Sequence, residues 1–343
     1  MQNKPQRNAA IEALRFLIIF QICLWHMYWP IIDAGFLGVE FFFILSGVFL
    51  YKNATKINSP GVLSYTIGKM KKFWFKMIIA LIFTHIIFCQ KLLAEFQENW
   101  LHPILRFVSE SLLLQNIGPF EGGLNKPLWF FSVLIYGGAL VYAFTKYYTK
   151  LSIRIIFPII IISFLAFTFK NGSQEALENW NVIHFIPLAL IRGICEIGFG
   201  VIIGYIYFNN SEKFKCHIKE LNIISIISLI LYLAIIISNR HFSQYAFIFI
   251  PVIICTALTS DTFFNKILDG GGNIWRILGK LSFDIFIIHY PLVAIFRHFL
   301  HVEAGIPIWI VAMLYYIVLI PCAFVFDMIT VKIQKMFWGK ATL

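Results

Sequence analysis

Apolar residues in this chain run on in blocks, separated by short polar connectors. Ten blocks are long enough, or nearly so, to cross a hydrocarbon layer of roughly 30 Å as helices. They fall at about 9–30, 36–51, 73–92, 128–145, 153–169, 184–207, 221–238, 244–260, 281–300 and 307–330. The second and eighth are short. Helices satisfy every backbone group within one segment, which lipid demands. The pattern therefore predicts an all-α polytopic membrane protein with about ten transmembrane helices in a single domain over 1–343. No internal repeat, low-complexity tract or soluble domain interrupts the spans. One connector, about 93–127, is long; it carries Trp100, His102, Pro103, the patch SLLLQNIG and Gly122-Gly123. It reads as an interfacial helix with a loop over one mouth of the bundle, or as a plain connector.

Composition agrees. Hydrophobic residues make up 59% and charged residues 13% of 343, whereas soluble domains carry about 25% charged residues. Mean hydropathy is +0.80. Lys4 and Arg7 before an apolar run resemble a signal peptide. The run is too long for one, contains Arg15 and lacks a small-residue cleavage site, so it reads as a retained first span.

The net charge of +11 invites a nucleic-acid partner until its placement is considered. With the N-terminus inside, 21 basic residues fall in inside segments and 6 outside, and Arg192 alone is mid-span. That bias fits the positive-inside rule with both termini cytoplasmic, and it excludes nucleic acid as the reason for the charge. Trp25, Tyr28 and Trp29 then mark the outer end of the first helix as an aromatic belt. The six cysteines are scattered, with neither disulfide nor metal spacing.

Charges inside the spans are the candidates for chemistry. Arg15 and His26 lie eleven residues apart in the first block, which puts them on one helical face about 16 Å apart along the axis. They read as two stations of one pathway, or as a snorkelling arginine and an end-capping histidine. Glu12 precedes Arg15 by one turn and pairs with it. Glu40, near the outer end of the second block, comes out at the depth of His26, where a carboxylate fixes an imidazole tautomer for general-base work; a structural ion pair is the alternative. Asp33, between the two, reads as a solvated loop residue. Lysines 52–76, Lys69 and Lys72 among them, include no acid; they satisfy the positive-inside rule or form a cytoplasmic anion site. Arg192 has Glu196 one turn away as an internal partner, and His289 sits deep in SFDIFIIHYPL, as a buried hydrogen-bonded group or part of the site. Cys23 is one turn from His26, but apolar surroundings make a poor nucleophile of it. Phosphate-loop, HExxH and GxSxG elements are absent, and no metal site is expected.

The run IEALRFLIIFQICLWH, an acid three before an arginine and then a histidine after ten residues, resembles the opening of the acyltransferase-3 family of integral membrane acyltransferases. GFLGVEFFFILSG, with Glu40 at its acidic position and Ser46-Gly47 at its end, is similar to the family's next motif. PLWFFSVLIYG resembles its tryptophan motif around Trp129, IRGICEIGFG its glycine-rich sixth span and LGKLSFDIFIIHYPL its late histidine-proline motif. Leu134 departs from the pattern, because many members carry a glutamate there. The resemblance implies transfer of an acyl group, commonly acetyl, from acetyl-CoA or another acyl-CoA to a hydroxyl of a surface polysaccharide or its lipid-linked precursor, in a bacterial cytoplasmic membrane. His26 would be the base and Glu40 its partner. Arg15 and Glu12, with Lys69 and Lys72, would receive coenzyme A, and Ser46, Trp129, Arg192 and His289 would support the substrate or the structure. A homo-oligomer stays open. A transporter or exporter of glycan precursors is the alternative from another class, using Arg15, Glu40 and Arg192 as coupling sites; an inactive scaffold is a third.

Overall fold

The computed structural model describes residues 7–118, 123–171, 182–183, 186–238 and 240–338. The helices in order are α1 (Ala9–His26), α2 (Leu37–Ala54), α3 (Val62–Ile87), α4 (Cys89–Glu98) and α5 (Leu101–Ser111). After a 3-10 turn at Lys126–Leu128 come α6 (Trp129–Tyr147), α7 (Thr149–Leu151), a π-helical stretch at Ser152–Ile156 and α8 (Phe157–Asn171). Then follow α9 (Leu188–Asn209), α10 (Ser211–Cys216), α11 (Ile218–Ser238), α12 (Ala246–Leu258), α13 (Phe263–Asp269) and α14 (Gly272–Ile295). A second π-helical stretch, Phe296–Glu303, prolongs α14 before α15 (Ile308–Trp338). Strand pairing among the described residues is confined to a two-residue antiparallel ladder, Val182–Ile183 with Ile186–Pro187. Eight helices, counting α7 and α8 as one, are long and apolar enough to cross a membrane. Two bent pairs, α3–α4 at 79° and α12–α13 at 65°, raise the number to ten if each is one span. The protein is an all-α polytopic membrane protein.

Contacts between helices fix their directions. Glu40 of α2 meets Arg192 of α9, and Tyr51, eleven residues on, meets Tyr205, so these two run parallel. Glu12 of α1 lies at Gly279 of α14 and His26 at His289, so these run parallel as well. Tyr315 reaches back to His289 while Asp327 reaches Lys280, so α15 is antiparallel to α14. The start of α1 and the end of α15 therefore lie at one end of the bundle, as an even number of spans requires.

The third span differs from expectation. Its apolar block begins at about 73, yet the helix begins at Val62, just after Pro60-Gly61. Lys69, Lys71, Lys72 and Lys76 thus project from a helix rather than a loop. Lysine is a good helix former, and its long stem lies along apolar surface while the ammonium reaches outward. The long connector is also more than a cover. Ser109, Glu110, Gln115, Asn116 and Asn125 are all buried in it. It is tied to the bundle by Ser132 Oγ donating to Gln115 Oε1 at 2.7 Å and by Asn125 Nδ2 donating to the Ile287 carbonyl at 2.8 Å. Pro291 explains the second bond: lacking an N–H, it leaves the carbonyl of Ile287, four residues earlier, without its helical partner.

The tightest seam joins α2 to α9. A Cβ on Gly47 would strike the Ile197 carbonyl and the Gly200 Cα; one on Gly200 would strike the Ile44 carbonyl and the Gly47 Cα. The two backbones touch because neither position carries a side chain. Ser46 beside them is half-buried.

Candidate active site

α1 starts with Asn8 as its N-cap, the side-chain oxygen accepting from Ile11 N at 3.0 Å. That orientation turns Glu12 inward to Gly279, where a side chain on α14 would collide with it. Buried Glu12 takes Arg15 Nη1 at 3.3 Å and Arg7 Nη1 at 3.4 Å. Lys69 and Lys72 of α3 are close enough to feel the charge of Arg15. Lys69 is half-buried between the rings of Tyr65 and Phe73, at 5.7 and 5.9 Å, and Lys72 is exposed, 5.3 Å from the Phe73 ring. Arg7, Arg15 and Lys72 thus gather around one carboxylate, with Lys69 beside Arg15 and Lys72, a cationic surplus suited to an anion.

Three turns further along α1 is His26, half-buried, its ring 5.2 Å from that of His289 and 5.6 Å from that of Tyr290. Trp25 lies alongside at 4.7 Å, and Lys126, in the turn before α6, is within electrostatic reach. His289 is fully buried. Its Nδ1 is 2.6 Å from the Phe286 carbonyl, which can only accept, so the proton of the neutral ring resides on Nδ1. The lone pair is then on Nε2, which has no partner among the described residues. Tyr315 Oη donates to the His289 carbonyl at 3.3 Å and steadies that turn. His26 is held among the described residues by ring contacts and no hydrogen bond, and it is half-exposed, so its ring nitrogens are accessible to a reacting group.

Glu40 is not beside His26. It is fully buried and accepts from Arg192 Nη2, while Arg192 Nε donates to Glu196 Oε1 at 3.0 Å. The Arg192 guanidinium also lies 5.5 Å from the ring of Trp129. Arg192 thus reaches across the α2–α9 seam as well as along its own helix. Similar depth suggests a His26–Glu40 pairing. The glycine seam decides otherwise, by drawing α2 onto α9 and turning Glu40 to the arginine.

Two polar networks are not evident from the pattern of apolar blocks. Lys76 Nζ bridges Asp284 and Asp327, each at 2.6 Å, and Asp327 also takes Lys280 at 2.9 Å. Asp284 stands five residues before His289 in the late motif, and that placement is the one signal of this network in the sequence. Nothing in the sequence points to the second. Glu110 accepts from Leu124 N at 2.7 Å, with His85 Nε2 at 3.7 Å, and burial pushes its carboxyl up to about 7. Among the described residues no group of three or more His, Cys, Asp or Glu is arranged to hold a metal ion.

No curated protein and no solved structure matches this chain. A family profile described as an acyltransferase domain matches residues 8–328, a range that takes in α1 with Arg15 and His26, the α2–α9 seam and the late histidine. Spanning nearly all of a chain built from apolar membrane-crossing helices, that match identifies the protein as a member of the acyltransferase-3 family of integral membrane acyltransferases.

Proposed function

We propose that this protein transfers an acyl group, acetyl in the first instance, from cytoplasmic acyl-CoA to a hydroxyl of a surface polysaccharide or its lipid-linked precursor in a bacterial cytoplasmic membrane. The observation that carries the reading is the arrangement along α1: a cation cluster around Arg15 at one level and, three turns on, an imidazole whose neighbour offers it an unused nitrogen. Coenzyme A is polyanionic, and Arg7, Arg15, Lys69 and Lys72 suit its phosphates. Glu12 keeps the Arg15 guanidinium oriented.

In this mechanism His26 takes the proton from the acceptor hydroxyl as its oxygen attacks the thioester carbonyl. A carbon–oxygen bond forms and the carbon–sulfur bond breaks. The departing sulfur takes the proton from the imidazolium and leaves as free coenzyme A. His289 is the positioning residue: its unpartnered Nε2, on a ring 5.2 Å from that of His26, is placed to take up the His26 N–H as the imidazole turns to the acceptor, which fixes the tautomer and steadies the imidazolium. It fills the part a carboxylate plays in a triad, a part that Leu134 cannot play and that Glu40, held by Arg192, does not. Glu40, Arg192, Glu196 and Trp129 then form the frame that holds α2, α6 and α9 together.

The test uses membranes containing wild type or His26→Ala, acetyl-labelled coenzyme A and total glycan from the native host. Label in glycan and release of free coenzyme A with wild type, both lost in the variant, are expected. Equal label in both removes His26 as the base. A transporter would release no coenzyme A at all.

A further inference from the structure

Above the His26–His289 pair, at the end of the bundle away from the Arg15 cluster, one cation acts on His26 and a second on its neighbour Tyr290, where basic residues are otherwise scarce. Lys126 is exposed in the turn before α6 and acts electrostatically on His26. Arg297, in the π-helical continuation of α14, lies with its guanidinium carbon 3.9 Å from the centre of the Tyr28 ring. Both Tyr28 and Arg297 act electrostatically on Tyr290, whose ring faces His26. Lys126 and Tyr290 thus stand at the imidazole itself, and Tyr28 with Arg297 stands beyond Tyr290.

Two details separate this arrangement from an ordinary interfacial belt. Tyr28 has φ 57°, a left-handed conformation that a bulky aromatic residue rarely adopts. The turn that imposes it is fixed by Met27 N to Cys23 O at 3.0 Å, Tyr28 N to Trp25 O at 2.9 Å and Trp29 N to Leu24 O at 3.2 Å. Strain of this kind persists where surroundings impose it, and it gathers at functional sites. Here it places a ring that is 69% exposed under a guanidinium. Stacking holds the guanidinium plane and leaves its N–H edge for a carboxylate or phosphate. Among the described residues no carboxylate lies within ion-pair distance of Arg297; Glu303, six residues on, is taken by His298 at 3.1 Å.

Resting on the acyl-transfer reading, we propose that the acceptor is anionic, and that Arg297 and Lys126 bind a carboxylate or phosphate of the glycan while Tyr28 and Tyr290 pack against its sugar rings. The hydroxyl to be acylated then lies next to the charged group, within reach of His26.

The full-length protein in phosphatidylcholine nanodiscs tests this in two steps. In the first, without acyl-CoA, host glycan retained by the protein is compared as native material, after reduction of its carboxyls to alcohols, and after hydrolysis of its phosphoesters. One of the two treatments is expected to cut retention about tenfold, the loss of one charge-assisted interaction, and to identify the anion. Arg297→Gln is expected to cut retention of native glycan by a similar factor, and Lys126→Gln by less. Equal retention of native and doubly neutralised glycan, or of native glycan by wild type and the double variant, overturns the proposal. Repeating the step with phosphatidylglycerol in the nanodisc distinguishes an acceptor site from a lipid-headgroup site. Loss of glycan retention with that lipid alone overturns the acceptor assignment.

In the second step, labelled acetyl-CoA is added. Arg297→Gln should raise KM for glycan about tenfold with kcat little changed. A drop in kcat at unchanged KM contradicts a binding role. If anionic glycan is retained but wild type transfers no label, the acyl-transfer reading fails while the anion site stands.

Discussion

Two helix seams of this protein bring ionisable groups together inside the membrane, and they treat them in opposite ways. Along α2–α9 the backbones touch through Gly47 and Gly200, and the charged side chains beside the seam, Glu40, Arg192 and Glu196, are buried and ion-paired, one oxygen of each carboxylate on the guanidinium. Along α1–α14, histidines face each other with nitrogens left over, and His26 stays half-exposed. Buried charges are expensive, so a seam that encloses them must pair them and thereby makes them structural. A seam that leaves a lone pair accessible preserves it for chemistry. His26 and Glu40 look equivalent in the sequence, each an ionisable residue in an apolar run. Their surroundings separate them.

Substitutions can break that contrast. The largest expected effect is on turnover: His26→Ala lowers kcat by about 10²- to 10⁴-fold, the usual contribution of a general base, while the melting temperature in detergent barely moves. A variant that unfolds instead would place His26 with the structural charges. Arg192→Met is the mirror case. It leaves two carboxylates side by side without their cation and should cost about 3–5 kcal/mol of stability, read as a large fall in melting temperature or in the amount of protein in membranes. If this variant is as stable as wild type, the α2–α9 cluster is not a structural frame.

Gly200→Ala should cost about 1–3 kcal/mol, because the added methyl meets backbone at Ile44 and Gly47 that has no rotamer to change. The same exchange at Gly61, where a Cβ meets nothing within 4 Å, is the control. The smallest effect is at Glu110, outside the membrane-spanning helices. Burial raises its carboxyl from 4.5 to about 7 in the folded protein, so the folded state holds this proton more tightly than the unfolded one. Its contribution favours folding at low pH and is lost as pH rises from 4.5 through about 7. Melting temperatures at pH 5 and pH 8 should therefore differ less in Glu110→Gln than in wild type. An identical difference in the two proteins would show that Glu110 does not titrate in that window.

Much of the site is legible in the sequence. The Glu12–Arg15 pair follows from one-turn spacing, and the Arg192–Glu196 pair likewise. These are relations within one helix, where spacing along the chain is distance in space. Relations between helices are far less legible. Similar depth points Glu40 toward His26, although depth says nothing about which way a helix faces. His289 stands out as a deep histidine, but nothing in its sequence neighbourhood places it opposite His26. Lys76 looks like one more loop lysine, although it bridges Asp284 and Asp327 across three helices. The early start of α3 is hidden for the same reason, because a run of lysines looks like the end of a span.

By itself, then, the sequence determined that the chain crosses a membrane as helices, about where most of them lie, and which charges stand in costly places. It could do so because hydrophobic length and the cost of burying charge are properties of single segments. Only the tertiary structure decided which charges cancel and which remain available. That choice depends on where two backbones can touch, on Gly47 against Gly200 and Glu12 against Gly279, and on the carbonyl that Pro291 leaves open for Asn125. Helix rotation is set by packing against neighbours, and a one-dimensional pattern of apolar blocks carries almost no information about it.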